Sequence, residues 1–600
     1  MKRVFLKFLP ILLLFFSMCD RTFLDETVTT DLELDVVFND STYTVGVLNE
    51  IYRQVGFDVD PGRFSQGNSS YGGLQTACDE AKFRILPVIT TDVMFVTGTV
   101  NPVTVTGDAW NNCYTNIRRV NVFLANVDRS PLSRTYRETL KAEARFLRAW
   151  YYHILLRHYG GVPLIGDKVF TLDDDLNLPR NTFKEVVDYI VSECEALVPL
   201  LPAKPMGFNN GRAGSGACHA LISRLRLYEA SPFYNGSTWG ADVSGFDKAL
   251  VGYAAYDRER WKVAYEAAYR VMALQQYELY HSDNSHEEGE GHHYQPGFGY
   301  HAVQNSSNYG LQGCYIELIF EQKKPDGDYR WNLISPPTHR WQNPTPPNGG
   351  TPYQEIVDAF PMRDGTPYDR AVSDYDPYND RDRRLFFAIA YDGMRMPFED
   401  HGTWANIYTY VGHCSPDEIY VGTPTGYYIN KFLSRWETAG SVHSSSQNQA
   451  LMRYAEILLN YAEARNEYYG EADTPEGRNS VYQVLKDLRK RAETYPGADD
   501  MYGLKPNMNQ AEMREAIQYE RRIELCFEGH RFFDVRRWMI ADVTESRQMT
   551  GMEITKHTDD TKTYRRIDVA KHSFNRASYL WPIPNIEVSR SPNLKQNPYY

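Results

Sequence analysis

A chain of 600 residues, 42% hydrophobic and 24% charged with a formal charge of −13, has ordinary globular composition and an acidic balance. That excludes a disordered or collagen-like polymer. No apolar run approaches the about 20 residues that cross a bilayer as a helix, and a nucleic-acid binder would carry a basic footprint instead. One feature is unusual: 44 Tyr stand against 28 Phe and 10 Trp, so rings with a polar tip, which stack and hydrogen-bond at once, outnumber plain ones.

Lys2, Arg3 and Lys7 precede an apolar stretch from Phe8 to Phe16 that ends at Ser17-Met18-Cys19-Asp20. A short basic region before an apolar core too short to stay in a membrane is the pattern of a secretory signal. Residues 1–18 are expected to be removed and Cys19 to be lipidated, as in bacterial lipoproteins. Met18 departs from the small residue usual before that Cys, and an ordinary signal with an incidental Cys is the alternative. Cys78, Cys113, Cys194, Cys218, Cys314, Cys414 and Cys526 are odd in number and contain no C-x-x-C pair. They point to neither a disulfide framework nor a zinc site and read mostly as small buried apolar groups, Cys194 and Cys526 on the apolar phase of helices.

Helical periodicity is clear from Leu132 to His158, where Leu140, Ala144, Leu147, Tyr151, Ile154 and Leu155 mark one face. Gly160-Gly161 ends it with residues that accept left-handed φ. Thr182-Phe-Lys-Glu185 has capping-box spacing before a stripe of Phe183, Val186, Ile190, Cys194 and Leu197. A third helix, Ala213 to Ala230, is dense in small residues that permit close approach of another helix. A fourth runs from Glu259 to Gln275, and three more from Met452 to Tyr469, Arg478 to Ala492 and Gln510 to Phe527. Trp110, Trp150 and Trp261 fall on helical patterns and are expected to pack. The helices suggest tetratricopeptide-like hairpins with spacing too uneven for a strict 34-residue repeat. The expected fold is mainly α: one body over 19–600, its hairpin scaffold mainly at 110–280 and 450–540. Loop-rich inserts lie at 57–110, 277–350 and 361–450, each too long to be structureless. A few short strands are expected, Tyr315 to Phe320 among them.

His281, His286, His292 and His293 with Glu287, Glu288 and Glu290 have metal-ligand chemistry, but no helical pair brings two imidazoles to one point. Asp374, Asp376, Asp380 and Asp382 alternate as calcium loops do, lack the central Gly and closing Glu, and read as a solvated turn. No metal or other cofactor is expected. No G-x-S-x-G elbow, P-loop or dinucleotide fingerprint occurs. With 77 acidic residues, carboxylate pairs for glycoside hydrolysis are always available, so a surface glycoside hydrolase is the enzymatic alternative. The stronger constellation is aromatic. Tyr329-Arg330-Trp331 and His339-Arg340-Trp341-Gln342-Asn343 lie in a loop bracketed by Pro325, Pro336, Pro337, Pro344, Pro346 and Pro347. Sugar rings stack a C–H face on indole or phenol while their hydroxyls take Arg and Asn partners, and prolines stiffen such a platform. Tyr329, Trp331, Arg340, Trp341 and Asn343 are therefore glycan-binding candidates; the same indoles would equally serve as their insert's own core.

Several segments resemble the SusD/RagB family. Arg145-Phe-Leu-Arg-Ala-Trp-Tyr151 and His158-Tyr-Gly-Gly-Val-Pro-Leu164 are similar to its first long helix and turn. Gly211-Arg-Ala213 through Tyr228-Glu-Ala-Ser-Pro232 is similar to its small-residue helix. Arg453 to Glu463, Glu520 to Trp538, Leu580-Trp-Pro-Ile-Pro584 and Asn593 to Pro598 follow in the family's order, and Cys19-Asp20 through Phe23-Leu-Asp25 resembles its mature N-terminus. The inserts match only loosely. The resemblance implies a SusD-like fold and a lipoprotein held to the outer membrane by its lipid alone, facing outward. It implies a SusC-like TonB-dependent transporter as partner and an oligosaccharide ligand, or a peptide in the RagB branch. No catalysis is implied. Glu520, Arg521, Arg522, Glu524, Glu528 and Arg531 then read as structural, with Glu524 and Glu528 expected to pair with Arg521 and Arg531 along one helix face.

Overall fold

The computed structural model describes residues 34–64, 72–82, 89–107, 109–281, 299–300, 303–305, 315–324, 350–369, 376–397, 404–414, 417–432, 448–470 and 480–600. The helices of the first half are α1 (Leu34–Phe38), α2 (Ser41–Tyr52), α3 (Thr91–Thr97), α4 (Ala109–Asn126), α5 (Arg134–Tyr159), α6 (Phe183–Leu197), α7 (Ser215–Ala230) and α8 (Glu259–Ala273). Short helices α9 (Gln354–Ala359) and α10 (Arg383–Ala388) follow. The helical body then resumes with α11 (Tyr454–Tyr469), α12 (Val481–Arg491), α13 (Gln510–Glu524) and α14 (Arg531–Arg537), before α15 (Ala541–Thr544) and α16 (Asn585–Arg590). Each periodic segment of the sequence forms a helix, and the mainly α, hairpin-built fold is the one observed. From α4 to α8 each helix packs on the next, and α8 then meets α11, which α12 and α13 also touch. The two halves of the scaffold thus close on each other across the intervening inserts.

α5 organises the body. Ser133 caps it by accepting from the Tyr136 N–H, and Gly160, at φ +80°, ends it. From Phe146 to Tyr159 it is buried on every side, as a helix surrounded by others must be. Its tyrosines do more than fill space. The Tyr151 hydroxyl donates to the Ile51 carbonyl at 2.8 Å, and the Ile165 N–H donates to Tyr152 Oη at 2.8 Å. Tyr159 Oη accepts from the N–H groups of Ala109 and Trp110 at 3.1 and 3.2 Å, which satisfies two of the orphan donors at the start of α4. Trp110, Trp150 and Trp261 are all buried, as their helical phase requires. The capping box at the start of α6 forms: Thr182 Oγ1 accepts from Glu185 N–H and the Glu185 carboxylate accepts from Thr182 N–H. On α7, a Cβ at Gly216 would stand 2.1 Å from Tyr277 Oη, so this part of the small-residue face takes a phenol ring.

The strands are short and pair in twos among the described residues. They are β1 (Ala81–Lys82), β2 (Leu318–Gln322), β3 (Thr351–Pro352), β4 (Ile389–Ala390), β5 (Arg395–Pro397), β6 (Trp404–Asn406), β7 (Tyr428–Ile429), β8 (Gln449–Arg453), β9 (Gln548–Lys556) and β10 (Lys562–Lys571). Every pairing is antiparallel: β1 with β3, β2 with β8, β4 with β7, β5 with β6, and β9 with β10. The strand expected from Tyr315 starts instead at Leu318, where Leu318 stands opposite Arg453: residues 315–317 form a short turn, and the Glu317 side chain joins an ion-pair network described below. The β9–β10 hairpin was not visible as a strand pattern: β10 alternates between exposed and half-buried residues and lacks an apolar face.

Two main cores result. The larger lies among α1–α8 and α11–α15 and reaches Trp581 near the C-terminus. The second is built by α9 and the third insert around Ile356, Phe360, Leu385, Tyr427 and Ile429, and packs against Ile523 of α13, Cys526 and Phe527 just after it, and Met552 and Ile554 of β9. Cys78, Cys113, Cys194, Cys218 and Cys526 are buried free thiols and Cys414 is exposed. Tyr159→Phe keeps the ring but strands the Ala109 and Trp110 amides. It is expected to lower stability by about 1–3 kcal/mol in urea unfolding; an unchanged midpoint would show that those amides have another acceptor.

Candidate functional site

A buried network of charges places the inserts on the helical body. Glu524, at the end of α13, is fully buried and faces three guanidiniums: Arg384 of α10 at 3.2 Å, Arg453 of β8 at 2.7 Å and Arg491 of α12. Arg384 also binds Asp382 at 2.9 Å and Glu520 at 2.6 Å, and Arg489 binds Glu520 at 2.9 Å. Arg453 and Arg491 share Glu317 at 2.8 and 2.9 Å, which in turn accepts from the Tyr280 N–H at 3.0 Å. That contact ties the start of the second insert to its return strand. Glu528 joins Arg453 to Lys431, the latter near the end of the third insert, at 2.7 and 2.6 Å. The first insert enters through Asp79, held by Arg531 through two bonds of 2.8 Å.

The expected pairing of Glu524 and Glu528 with Arg521 and Arg531 does not occur. α13 stops at Glu524 and the chain reverses through Phe527, at φ +64°, and Gly529, at φ +80°, so these residues do not share one helix face. Arg521 instead binds Asp534 and Asn460. Burial by itself would raise the Glu524 carboxyl, but Arg491, Arg453 and Arg384 outweigh it and hold it well below the ordinary range. Glu80 shows the opposite balance. Burial, with Asp79 beside it, pushes its carboxyl up to about 8, despite the Phe527 N–H donated to it.

The same segment that anchors the third insert also lines a cleft of about 290 Å³, formed by Arg363, Tyr378–Leu385 without Arg384, Phe386 and Tyr391. Successive residues diverge. Arg381 is buried and donates to the carbonyls of Pro377, Val357 and Phe360, Asp382 and Arg384 turn into the charge network, and Arg383 is left half-buried at the cleft. Tyr378 and Tyr391 stack with centroids 4.3 Å apart and planes 17° from parallel. The Tyr378 hydroxyl donates to Tyr427 Oη, whose hydroxyl donates to Gln354. The Arg363 guanidinium lies over the Tyr495 ring at 4.5 Å, and the Arg363 backbone N–H donates to the Asp380 carbonyl. Asp380 takes φ +51°, a conformation Asp tolerates better than most residues. Asp382 is therefore not part of a solvated turn, as its sequence neighbours implied: its carboxylate is consumed by Arg384. Next to this cleft Tyr408, Tyr410 and His413 form an aromatic group with centroids 4.8–5.6 Å apart. It is linked back through Asp392, which accepts from the Thr409 and Tyr410 amides and from Lys562 of β10.

A separate concavity of about 440 Å³ lies between α4, the 163–178 loop and α16, with Trp110, Tyr114, Phe170 and Leu176 among its walls. Among the described residues no group of three or more His, Cys, Asp or Glu is placed to hold a metal. Cys19 and the aromatic candidates Tyr329, Trp331, Arg340, Trp341 and Asn343 lie outside the described residues, as do His286, His292, His293 and Asp374. The sequence reading named Asp380 and Asp382 of this cleft only as part of a calcium-like turn and passed over its other residues. The run from Tyr378 to Arg383 that supplies most of the lining is short and has no period, and Arg363 lies well before it.

Residues 316–600 match the model of the SusD family, and residues 75–227 match a model described as starch-binding, associating with the outer membrane. The chain belongs to the SusD family. A SusD-like protein of Formosa agariphila is 29% identical over 192 residues, 32% of this chain and 33% of that one, so the chain matches about a third of that relative's length. Among solved structures, a SusD-like protein from Bacteroides fragilis superposes with a TM-score of 0.71 at 24% identity, covering 94% of this chain and 98% of its own. A SusD-like carbohydrate-binding protein from the same species gives 0.69 at 22% identity over 93% and 100%. A laminarin-binding SusD-like protein gives 0.59 at 19% over 94% and 100%. At these identities the superpositions establish the SusD fold.

In this SusD-family protein Glu524→Gln would leave three buried guanidiniums short of one charge. The expected loss is about 3–5 kcal/mol in denaturant unfolding at neutral pH. Because the Glu524 carboxyl lies below the usual Glu value of 4.5, its contribution is complete above that value and is lost as pH falls through the lower folded value. The variant should therefore lose less stability than the parent on acidification below about pH 4.5; parallel pH profiles would contradict the assignment.

Proposed function

We propose that this protein is an outward-facing outer-membrane lipoprotein that captures oligosaccharide and passes it to a SusC-like TonB-dependent transporter, without chemical action on it. The observation that carries the reading is the cleft of the third insert, on a SusD fold. Arg363, Arg383, Asn379 and Asp380 bring hydrogen-bonding groups together there, with a stacked tyrosine pair and Phe386 forming part of the wall, a mainly polar setting suited to sugar hydroxyls. Solved relatives described as carbohydrate-binding and laminarin-binding support the same class. No described helix is long and apolar enough to cross a membrane, which is consistent with attachment through a lipid on Cys19. In this reading Tyr329, Trp331, Arg340, Trp341 and Asn343 extend the ligand surface from the second insert, and the body from residue 19 onward acts as one lid.

Affinity electrophoresis on a polysaccharide panel, beside calorimetry with peptide mixtures, tests the ligand class. Binding of peptides alone would favour a RagB-like lid, and release of reducing ends from a bound polysaccharide would make the protein a hydrolase. Trp331→Ala and Trp341→Ala are each expected to abolish retardation with little change in melting temperature; a large stability loss would assign these indoles to the insert's core. Cys19→Ala is expected to move the protein from the membrane fraction to the soluble one, and continued membrane association would overturn the lipid anchor.

A further inference from the structure

Buried guanidiniums in this protein are nearly always matched. Arg384, Arg453, Arg489, Arg491, Arg521, Arg531 and Arg537 each bind at least one carboxylate, and Arg381 is satisfied by carbonyls. Other arginines whose Nε lacks an acceptor, such as Arg148 and Arg566, pair through their terminal nitrogens. Arg363 and Arg383 are different. Both line the 290 Å³ cleft, and the Nε of each is shut off from solvent without an acceptor. Neither guanidinium has a carboxylate partner among the described residues: Arg363 has only the face of Tyr495, and Asp382, the nearest carboxylate in sequence to Arg383, is spent on Arg384. Asp380 is the one other acid in the lining, so the cleft carries two unmatched cations against one exposed carboxylate.

An N–H donor buried without an acceptor is costly to leave so, and guanidinium favours a planar or tetrahedral oxyanion that takes two of its donors. The rest of the lining is mainly polar, and the exposed Asn379 and Asp380 offer donor and acceptor groups of the kind sugar hydroxyls take. The volume sits at the bottom of the about 300–1,000 Å³ range of small-molecule sites, enough for one ring of a chain that continues outside. We infer that this cleft takes an oxyanion-bearing sugar residue, a uronate carboxylate or a sulfate ester, held by Arg363 and Arg383. The glycan captured is then an acidic one. This rests on the glycan-capture reading and narrows it.

The test is calorimetry on wild type and Arg363→Gln/Arg383→Gln with three oligosaccharide sets of matched length: oligogalacturonates, sulfated galactan oligosaccharides and maltooligosaccharides. One acidic set is expected to bind wild type at least about tenfold tighter than the neutral set, to lose at least about tenfold in the double variant, and to weaken as salt rises. Whether the uronate or the sulfated set responds identifies the oxyanion. Should releasing Tyr495 lower the melting temperature of the double variant, Arg383→Gln alone, whose side chain contacts no ring or carboxylate among the described residues, repeats the comparison. Acidic binding unaffected by these changes, or binding of neutral sugars only, would overturn the inference while leaving glycan capture standing. Wild type that binds none of the three sets while binding peptides would overturn both.

Discussion

Glu524 is the point on which this structure turns. A carboxylate with no exposed surface is tolerable only when surrounded by opposite charge, and here that charge arrives from three places far apart in sequence: α10, β8 and α12. Removing ions from water largely offsets their mutual attraction, so such a network adds little net stability compared with well-packed apolar groups. Its role here is positional: Arg384, Arg453 and Arg491, from three separate segments, all converge on Glu524. Inserts of 54 to 90 residues, apolar only in part, are thereby tied to the helical body. Asp79, Glu317 and Lys431 extend the same constraint to each of the three inserts.

The cleft is a consequence of that clamp. Drawing Asp382 and Arg384 into the network fixes the backbone on either side of Arg383 and leaves this side chain facing outward without a counter-ion. Tyr378 and Tyr391 are likewise positioned from behind, through Tyr427 and Gln354. Binding groups held from the interior need little reorganisation when a ligand arrives, which matters for a protein proposed to capture a flexible sugar chain and then release it onward. The tyrosine excess has a related explanation. At Tyr151, Tyr152 and Tyr159 a ring fills the core while its hydroxyl closes a backbone group of a neighbouring element, a pairing that Phe cannot supply.

Local periodicity carries far in this sequence. The helix from Arg134, the capping box at Thr182, the glycines ending α5 and the burial of Trp110, Trp150 and Trp261 all depend on residues within a few positions of one another, and the order of motifs from Arg145 to Pro598 is enough to place the chain in the SusD family. Where the pattern weakens, so does the reading. The strand at Leu318 begins three residues late, after a turn at 315–317. The β9–β10 hairpin is hard to see because β10 has no apolar face, although Met549, Met552 and Ile554 of β9 are buried. The helix thought to reach Phe527 ends at Glu524.

The sequence by itself thus determined the helical scaffold, the signal-like N-terminus and the family, since short-range spacing and motif order encode them. Only the tertiary structure decided which charges meet. Arg381, Asp382, Arg383 and Arg384 are four consecutive polar residues with nothing in their order to rank them. Folding sends one to carbonyls, two into a buried network with α13 and one to an open cleft, because burial penalises each unmatched charge and the available partners are brought together only when distant segments pack.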